Sequence, residues 1–362
     1  MSDISLQRER VRGFFKNASK PHAGLWLSRG LQQWKNNKTH KGEDFLAHVE
    51  KATGLAAPDV YRAAYQRWQG IVLFSNTMAF IPMTLQGRLF IGMGGPSVIE
   101  SAITLSHAYG VPMIPASALK GLTSVYAKAL EVDPNTCSAL FGKEGKTPDE
   151  CDAGYVIFHD AWWMPNSHPP LAQEIVTPHH PDYYQKNGGQ DATDFDSPEP
   201  NVQIAAKGSF LFAVECSAKI WADYALGLLT RALIEWGVGG KTSAGYGRFN
   251  EDIQLSKQLA DDLRKLADKQ KEVERNRKRD LMSVNQQTID DLYQKRTPNF
   301  KDSGPGSQLY RDTRELIEQA ALWNDDEKGN LYTVAVEIFD WIGIQKDNKN
   351  RKSLLRSLRP IP

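Results

Sequence analysis

The chain runs strand, helix, strand twice, and this doubling limits the folds open to it more than any other feature. In the first run Met83, Leu85, Leu89 and Ile91 alternate with Thr84, Gln86, Arg88 and Phe90, mostly the period-2 pattern of a strand with one buried face. A glycine-rich turn follows at 92–96, and residues 114–121 open a helix running to about 131. Ser117 is placed as its cap, since a hydroxyl there accepts a bond from an unpaired first-turn amide. Residues 154–159 make a short apolar strand. In the second run 208–216 is a strand, 221–236 an amphipathic helix, and 237–249 a glycine-rich stretch leading into a fourth strand.

The order predicts an α+β fold with a split βαβ, ferredoxin-like (RRM-like) core over 71–250. Between the halves lies an insertion at about 162–206; its stretch 165–201 is rich in Pro, Asn, Gly and Asp and lacks clear periodicity. Residues 1–70 read as a mostly helical segment, with Leu25, Leu27, Leu31 and Trp34 at helix-like spacing. Residues 251–362 read as a helical extension. Leu255, Leu259, Leu263 and Leu266 line a charged helix there; a break at 298–306 precedes helices at about 308–322 and 330–343, and a basic tail covers 346–359.

Charge is balanced in sum and uneven in place. Forty-four Lys and Arg against 43 Asp and Glu argue against a highly basic nucleic-acid clamp. Residues 1–41, however, carry nine basic and two acidic side chains, whereas 42–250 carry fourteen and twenty-one. Basic ends on an acidic middle fit polyanion contacts or docking between subunits, and equally fit solvated termini. The three cysteines, Cys137, Cys151 and Cys216, have no CxxC spacing, which disfavours a disulfide framework or a cysteine-rich zinc site. No apolar h-region and no apolar run of about 18–20 residues is evident, so the expectation is a cytoplasmic protein.

The stretch 237–249 (GVGGKTSAGYGRF) carries the strongest chemical signal. Its Gly240, Lys241 and Thr242 match the end of a phosphate-binding P-loop. That pattern needs glycine at 235, where the residue is Glu235, and it runs from strand to helix rather than from helix to strand. What remains is a run of small residues whose amides can approach an anion, with Lys241, Thr242, Ser243 and Arg248 close by. A glycine-rich turn packed tightly between elements explains the same residues. Lys120, in the first turn of its helix beside Ser117, would add a charge where helix amides favour anions.

Catalytic patterns are thin. His159 with Asp160, and His179 and His180 with Asp182, could serve acid–base chemistry or a metal, yet adjacent histidines point apart and no H-E-x-x-H or G-x-S-x-G occurs. No metal and no cofactor is expected. The run 177–184 (TPHHPDYY) reads as a rigid aromatic loop whose His179, His180, Tyr183 and Tyr184 stack on bases or pack locally.

Five stretches in order, 92–100 (GMGGPSVIE), 104–121 (TLSHAYGVPMIPASALKG), 154–161 (GYVIFHDA), 177–184 and 237–249, together resemble the RAMP superfamily of CRISPR-associated proteins. Within it the similarity is to the branch formed by the sixth subunits of type III-B (Cmr) effector complexes, which the proline-histidine-tyrosine stretch sets apart. The resemblance spans about 77–250. It implies a non-catalytic, RNA-binding backbone subunit of an antiviral ribonucleoprotein, gripping guide RNA (crRNA) near its 3′ end. It also implies target RNA and other subunits as partners: the repeated target-cleaving backbone subunit, an end-capping RAMP subunit and a small helical subunit. Backbone contacts are implied for Ser117, Lys120, Gly239, Gly240, Lys241, Thr242, Ser243, Tyr246 and Arg248. Contacts to RNA or a neighbour are implied for His179, His180, Tyr183 and Tyr184. Ala116 and Ala118 depart from the family's usual Pro-Gly-Ser-Ser opening, and nothing in the resemblance covers 251–362. The alternative is a RAMP-type endoribonuclease processing guide precursors, with His159 or His179 as general base.

Overall fold

The structure is a computed structural model. It describes residues 4–5, 7–17, 19–34, 43–95, 97, 102–143, 145, 147, 151–166, 168–177, 179–180, 183, 191–196, 198, 200–296 and 304–358. The chain divides into two compact units, Met1–Arg264 and Lys265–Pro362.

The first unit opens with β1 (Ile4–Ser5), α1 (Glu9–Asn17), α2 (Ala23–Arg29), β2 (Gln33–Trp34), α3 (Glu43–Thr53) and α4 (Asp59–Phe74). Trp34, expected on a helix, lies in β2 and pairs antiparallel with β1. The helix stops early because Gly30 closes α2, its amide still bonded to the Trp26 carbonyl at 2.7 Å. Next come β3 (Met78–Leu85), β4 (Met113–Ile114), α5 (Ala116–Ala129), α6 (Pro134–Phe141), the antiparallel pair β5 (Gly142–Lys143) and β6 (Asp152–Ala153), β7 (Ile157–Phe158) and β8 (Ala161–Trp163). The unit continues with β9 (Leu171–Val176), β10 (Asn201–Ala206), β11 (Ser209–Glu215), α7 (Lys219–Glu235) and β12 (Phe249–Glu251).

The main sheet has the order β12-β3-β11-β8-β4, with β7 also on β11, and every pairing is antiparallel. Residues 210–214 of β11 are all buried, which needs cover on both sheet faces and explains why this strand reads as a continuous apolar run. Helix α7 packs on β3 and β11, and α4 packs on β3. Phe249 meets Phe210 and Phe212 edge-to-face, at 5.9 and 5.2 Å between ring centres, and so locks β12 to β11. Pro82, which has no amide hydrogen, is tolerated inside β3 because the pairing with β12 stops at Met83.

The region 165–201, read as irregular, contains β9 and the start of β10, which pair antiparallel from Leu171 with Ala206 to Val176 with Asn201. Its alternation is broken because Leu171 and Ala172 are both buried while Ile175 is exposed. The buried side chains Leu171 and Ile204 join Phe15, Trp26, Leu27, Val49 and Ala52 in a separate core. The N-terminal helices therefore seat the insertion.

In the second unit the end of α8 (Ile253–Asp280) is followed by α9 (Val284–Gln294), α10 (Gln308–Gln319), α11 (Asp325–Trp341) and α12 (Lys349–Ser357). Its core gathers Ile289, Leu292, Leu309, Ile317, Leu331 and Phe339. The basic tail forms α12, and its Arg351 turns inward, bonded to the Ile344 carbonyl at 2.5 Å and the Asp340 carboxylate at 2.6 Å. Among the described residues no helix is long and apolar enough to cross a membrane.

Candidate nucleic-acid interface

The loop after α7 is shaped by its glycines. Gly237 (φ 78°) ends the helix with its amide on the Ala232 carbonyl at 3.0 Å. A neck then forms where the Val238 amide donates to the Gly247 carbonyl at 2.9 Å. Gly247 (φ 70°) admits no side chain, because a Cβ there would lie 1.9 Å from the Val238 carbonyl oxygen. Gly239 (φ 91°) sits against Phe90, where a Cβ would meet the carbonyl oxygen at 2.2 Å. The Gly240 amide donates to that same carbonyl at 2.7 Å, and the Gly247 amide to the Arg88 carbonyl at 2.8 Å. Close packing thus accounts for Gly237, Gly239 and Gly247.

It does not account for the tip. Lys241 is a non-glycine residue in the left-handed region (φ 59°, ψ 32°), followed by a single 3₁₀ turn, Thr242–Ala244, and Gly245 at φ 89°. A lysine held there costs about 1–2 kcal/mol. Lys241 and Ser243 are exposed and Thr242 half-buried. Lys241 has no ion pair among the described residues. The amides of Lys241, Thr242 and Ser243 find no backbone acceptor among the described residues. A left-handed residue followed by a right-handed one aims successive N–H groups the same way, the geometry of an anion nest.

Tyr246 packs against Phe90 with ring centres 4.7 Å apart and planes tilted by 47°, and its hydroxyl is pushed above the ordinary range by burial and by the nearby Glu174 charge. Arg88 lies 3.9 Å from Glu174 of β9. Leu89 exchanges both backbone bonds with Ala206 of β10, at 3.0 and 2.9 Å. Residues 88–90 therefore hold the glycine loop on one side and the insertion hairpin on the other. Arg248 is half-buried beside Gly237.

The first turn of α5 is built differently from the expectation. Pro115 occupies the cap position, and the first amide, of Ala116, is satisfied by the Asp160 carboxylate at 2.7 Å. Ser117 is exposed in the first turn rather than capping it, because proline carries the turn into the helix one residue earlier. Lys120 is half-buried on α5 and carries no ion pair among the described residues. This helix start is tied to the β8 side of the sheet, whereas the glycine loop leans on the extension of β3, and no hydrogen bond or ion pair joins them among the described residues.

The histidines divide. His159 Nε2 meets the Glu215 carboxylate at 3.0 Å, which also accepts from the Thr77 hydroxyl at 3.1 Å, and its ring lies against Trp68. His180 Nδ1 pairs with Asp196 at 2.9 Å; that bond, with two from Thr193, holds the Asp196 carboxyl below its usual range. His180 is thus committed within the insertion, while His179 and Tyr183 are exposed. Tyr184 lies outside the described residues. Among the described residues no group of three His, Cys, Asp or Glu side chains gathers to hold a metal.

Three residues take roles that the sequence did not assign to them. Asp160 was visible only as a neighbour of His159. Arg88 and Lys207 line, with Gln86 and His168, a groove of about 300 Å3 at the end of β3. Arg88 appears in sequence merely as a polar position in an alternating strand, and Lys207 has no signal there at all.

Residues 83–250 match the family model of the RAMP superfamily. The chain is similar to the CRISPR system Cmr subunit Cmr6 of Pyrococcus furiosus, 28% identical over 290 residues that cover 63% of this chain and 84% of the relative. It is also similar to the CMR subunit Cmr6 of Saccharolobus solfataricus, 26% identical over 178 residues, 48% of this chain and 57% of that one. Among solved structures, a chain of the type III-B Cmr-beta complex bound to cognate target RNA aligns with 60% of this chain and 76% of its own length, at 19% identity and a TM-score of 0.46.

Proposed function

We propose that this chain, whose residues 83–250 are of the RAMP superfamily, is a subunit of a type III-B (Cmr) CRISPR effector complex that holds guide RNA through its phosphates and does not cut it. The observation that carries the reading is Lys241: a strained, exposed lysine with no ion pair among the described residues, at the tip of a loop whose amides find no backbone acceptor among them and have the geometry of an anion nest. Arg88, beside Glu174, and Lys207 line the neighbouring groove at the end of β3, and Lys120 is a further candidate contact at the start of α5. The antiparallel order β12-β3-β11-β8, with α5 and α7 packed together, supports a ferredoxin-like core of the RAMP kind.

Such a grip works by charge and backbone geometry. Affinity falls steeply with salt, and guide–target pairing supplies most of the sequence choice. The partners are guide RNA near its 3′ end, target RNA and neighbouring Cmr subunits: the repeated target-cleaving subunit, the end-capping RAMP subunit and the small helical subunit. His179 and Tyr183, exposed on the insertion, face one of these.

The absence of catalysis is part of the proposal. His159 is engaged by Glu215 and Asp160 by the α5 amide, which favours structural roles for both. Co-purification of the tagged chain from its operon, with sequencing of bound RNA, tests the reading. Short RNAs bearing a repeat-derived 5′ handle, together with other subunits, are expected for wild type and for His159→Ala. A chain recovered alone that cuts precursor RNA, and stops doing so as His159→Ala, contradicts it.

A further inference from the structure

A second polar pocket lies away from the glycine loop, between α4, the segment leaving β8 and the first turns of α8. It holds about 400 Å3, the size of small-ligand sites. Apolar surface comes from two elements: Met164 and Pro165 after β8, and Leu255 and Leu259 one turn apart on α8. Two of its lining residues carry polar groups without partners among the described residues. The Tyr65 hydroxyl is buried with no hydrogen bond among them, on a side chain only 5% exposed. The Asp262 carboxylate has no ion pair or hydrogen bond among the described residues. Burial, and the charge of Asp262, push the Tyr65 hydroxyl above its ordinary range, so it remains a donor at neutral pH. At the rim Arg62 is fixed by a 2.8 Å bond to the Asn166 carbonyl and leaves its remaining donors outward.

A buried orphan donor is costly, and a pocket that keeps one is complete only with an acceptor in place. Its neighbour, a carboxylate, asks for donors, and two adjacent N–H groups satisfy it best. A flat ring that stacks on apolar side chains while presenting an acceptor beside two neighbouring donors is guanine: O6 for Tyr65, N1–H and N2–H₂ for Asp262. Adenine and cytosine put an acceptor where the second donor must be, and uracil offers one donor between two acceptors.

We infer that this pocket binds a guanine base, stacked between β8's exit and α8 and read by Tyr65 and Asp262. The base comes from an unpaired nucleotide of an RNA strand or from a free guanine mononucleotide, with Arg62 at the rim facing the phosphate. This site stands apart from the phosphate grip of the glycine loop and does not depend on it.

Calorimetric titration of the full chain with 5′-GMP, 5′-IMP, 5′-AMP and 5′-CMP tests the inference, beside nine-residue oligoadenylate RNAs with and without one central guanine. GMP is expected to bind at least tenfold more tightly than AMP or CMP, with IMP, which lacks the N2 amino group, in between. Asp262→Asn should remove the preference for guanine and Tyr65→Phe should weaken it several-fold. A guanine effect confined to the oligonucleotide points to the strand as the source; one shared by GMP points to the base itself. Equal binding of all mononucleotides with no gain from guanine in RNA, or a preference that survives Asp262→Asn, overturns the assignment. Salt-sensitive RNA binding lost in Lys241→Ala reports on the glycine loop separately, so the two readings fail independently.

Discussion

The Gly240 amide donates to the Phe90 carbonyl at 2.7 Å, and the neighbouring Gly239 leaves room for nothing larger than hydrogen beside that same oxygen. This contact fixes the glycine loop to a strand extension that also carries the insertion hairpin. Gly239→Ala must break it, because the new Cβ would lie 2.2 Å from a backbone atom that cannot swing away. A loss of about 2–3 kcal/mol is expected, combining positive φ with the clash. Gly245→Ala, at φ 89° with open space around it, should cost only about 1 kcal/mol. Urea unfolding of the two variants checks the contrast, and equal losses would mean that the loop is not anchored at Phe90.

Stability and binding should move in opposite directions at Lys241. Lys241→Gly relieves the left-handed backbone and is expected to stabilise the protein by about 1 kcal/mol. The same change removes the proposed phosphate contact and is expected to lower the salt dependence of RNA binding by about one unit of slope. Lys241→Ala should weaken binding similarly without the gain in stability. Filter binding across a salt series, beside denaturant melts, reads both effects; unchanged slopes would remove Lys241 from the interface.

Asp160, not Ser117, is the acceptor at the start of α5. Asp160→Ala should therefore cost about 1 kcal/mol, as the loss of a helix-capping acceptor does, whereas Ser117→Ala should be close to neutral. Thermal unfolding of the two variants decides between them, and a larger loss for Ser117→Ala would restore the hydroxyl as cap.

His48 gives the N-terminal seat of the insertion a pH dependence. It is 3% exposed, stacked on Trp26 at 5.1 Å, and burial lowers its pKa below the usual 6.5. Protonation is harder in the folded chain than in the unfolded one. The contribution of this packing is thus complete above 6.5 and is lost as pH falls below it toward the folded-state value. Stability measured from pH 7.5 to 5 should decline in wild type and decline less in His48→Gln. Parallel curves would exclude His48 as the titrating group.

The strand–helix–strand doubling was legible chiefly because β11 shows its burial directly as a continuous apolar run. The alternation read over 83–91 overlaps β3 only at 83–85; β3 itself is buried in adjacent pairs, and Phe90, read on the polar side, is buried. The glycine loop was legible as a motif, though sequence alone could not divide it into glycines that pack, such as Gly239 and Gly247, and a tip that remains open at Lys241. That division depends on Phe90 and Val238, which approach only through the fold. The β9–β10 hairpin was missed because its burial is set by a separate core around Trp26 and Val49, so its strands lack clean alternation. Ser117 was misread as a cap because proline at 115 and a carboxylate 44 residues away supply what a local hydroxyl usually does. His180 offered the pattern of a ligand-facing side chain and proved to be held by Asp196.

Photo-crosslinking of guide RNA in the affinity-purified complex, with peptide mapping on this chain, tests the central claim most directly. The account predicts crosslinks within 239–248 and to the adjoining Arg88 strand, lost or strongly reduced in Lys241→Ala while the complex still assembles. Guide RNA crosslinked elsewhere on the chain, with none at this loop, would contradict it.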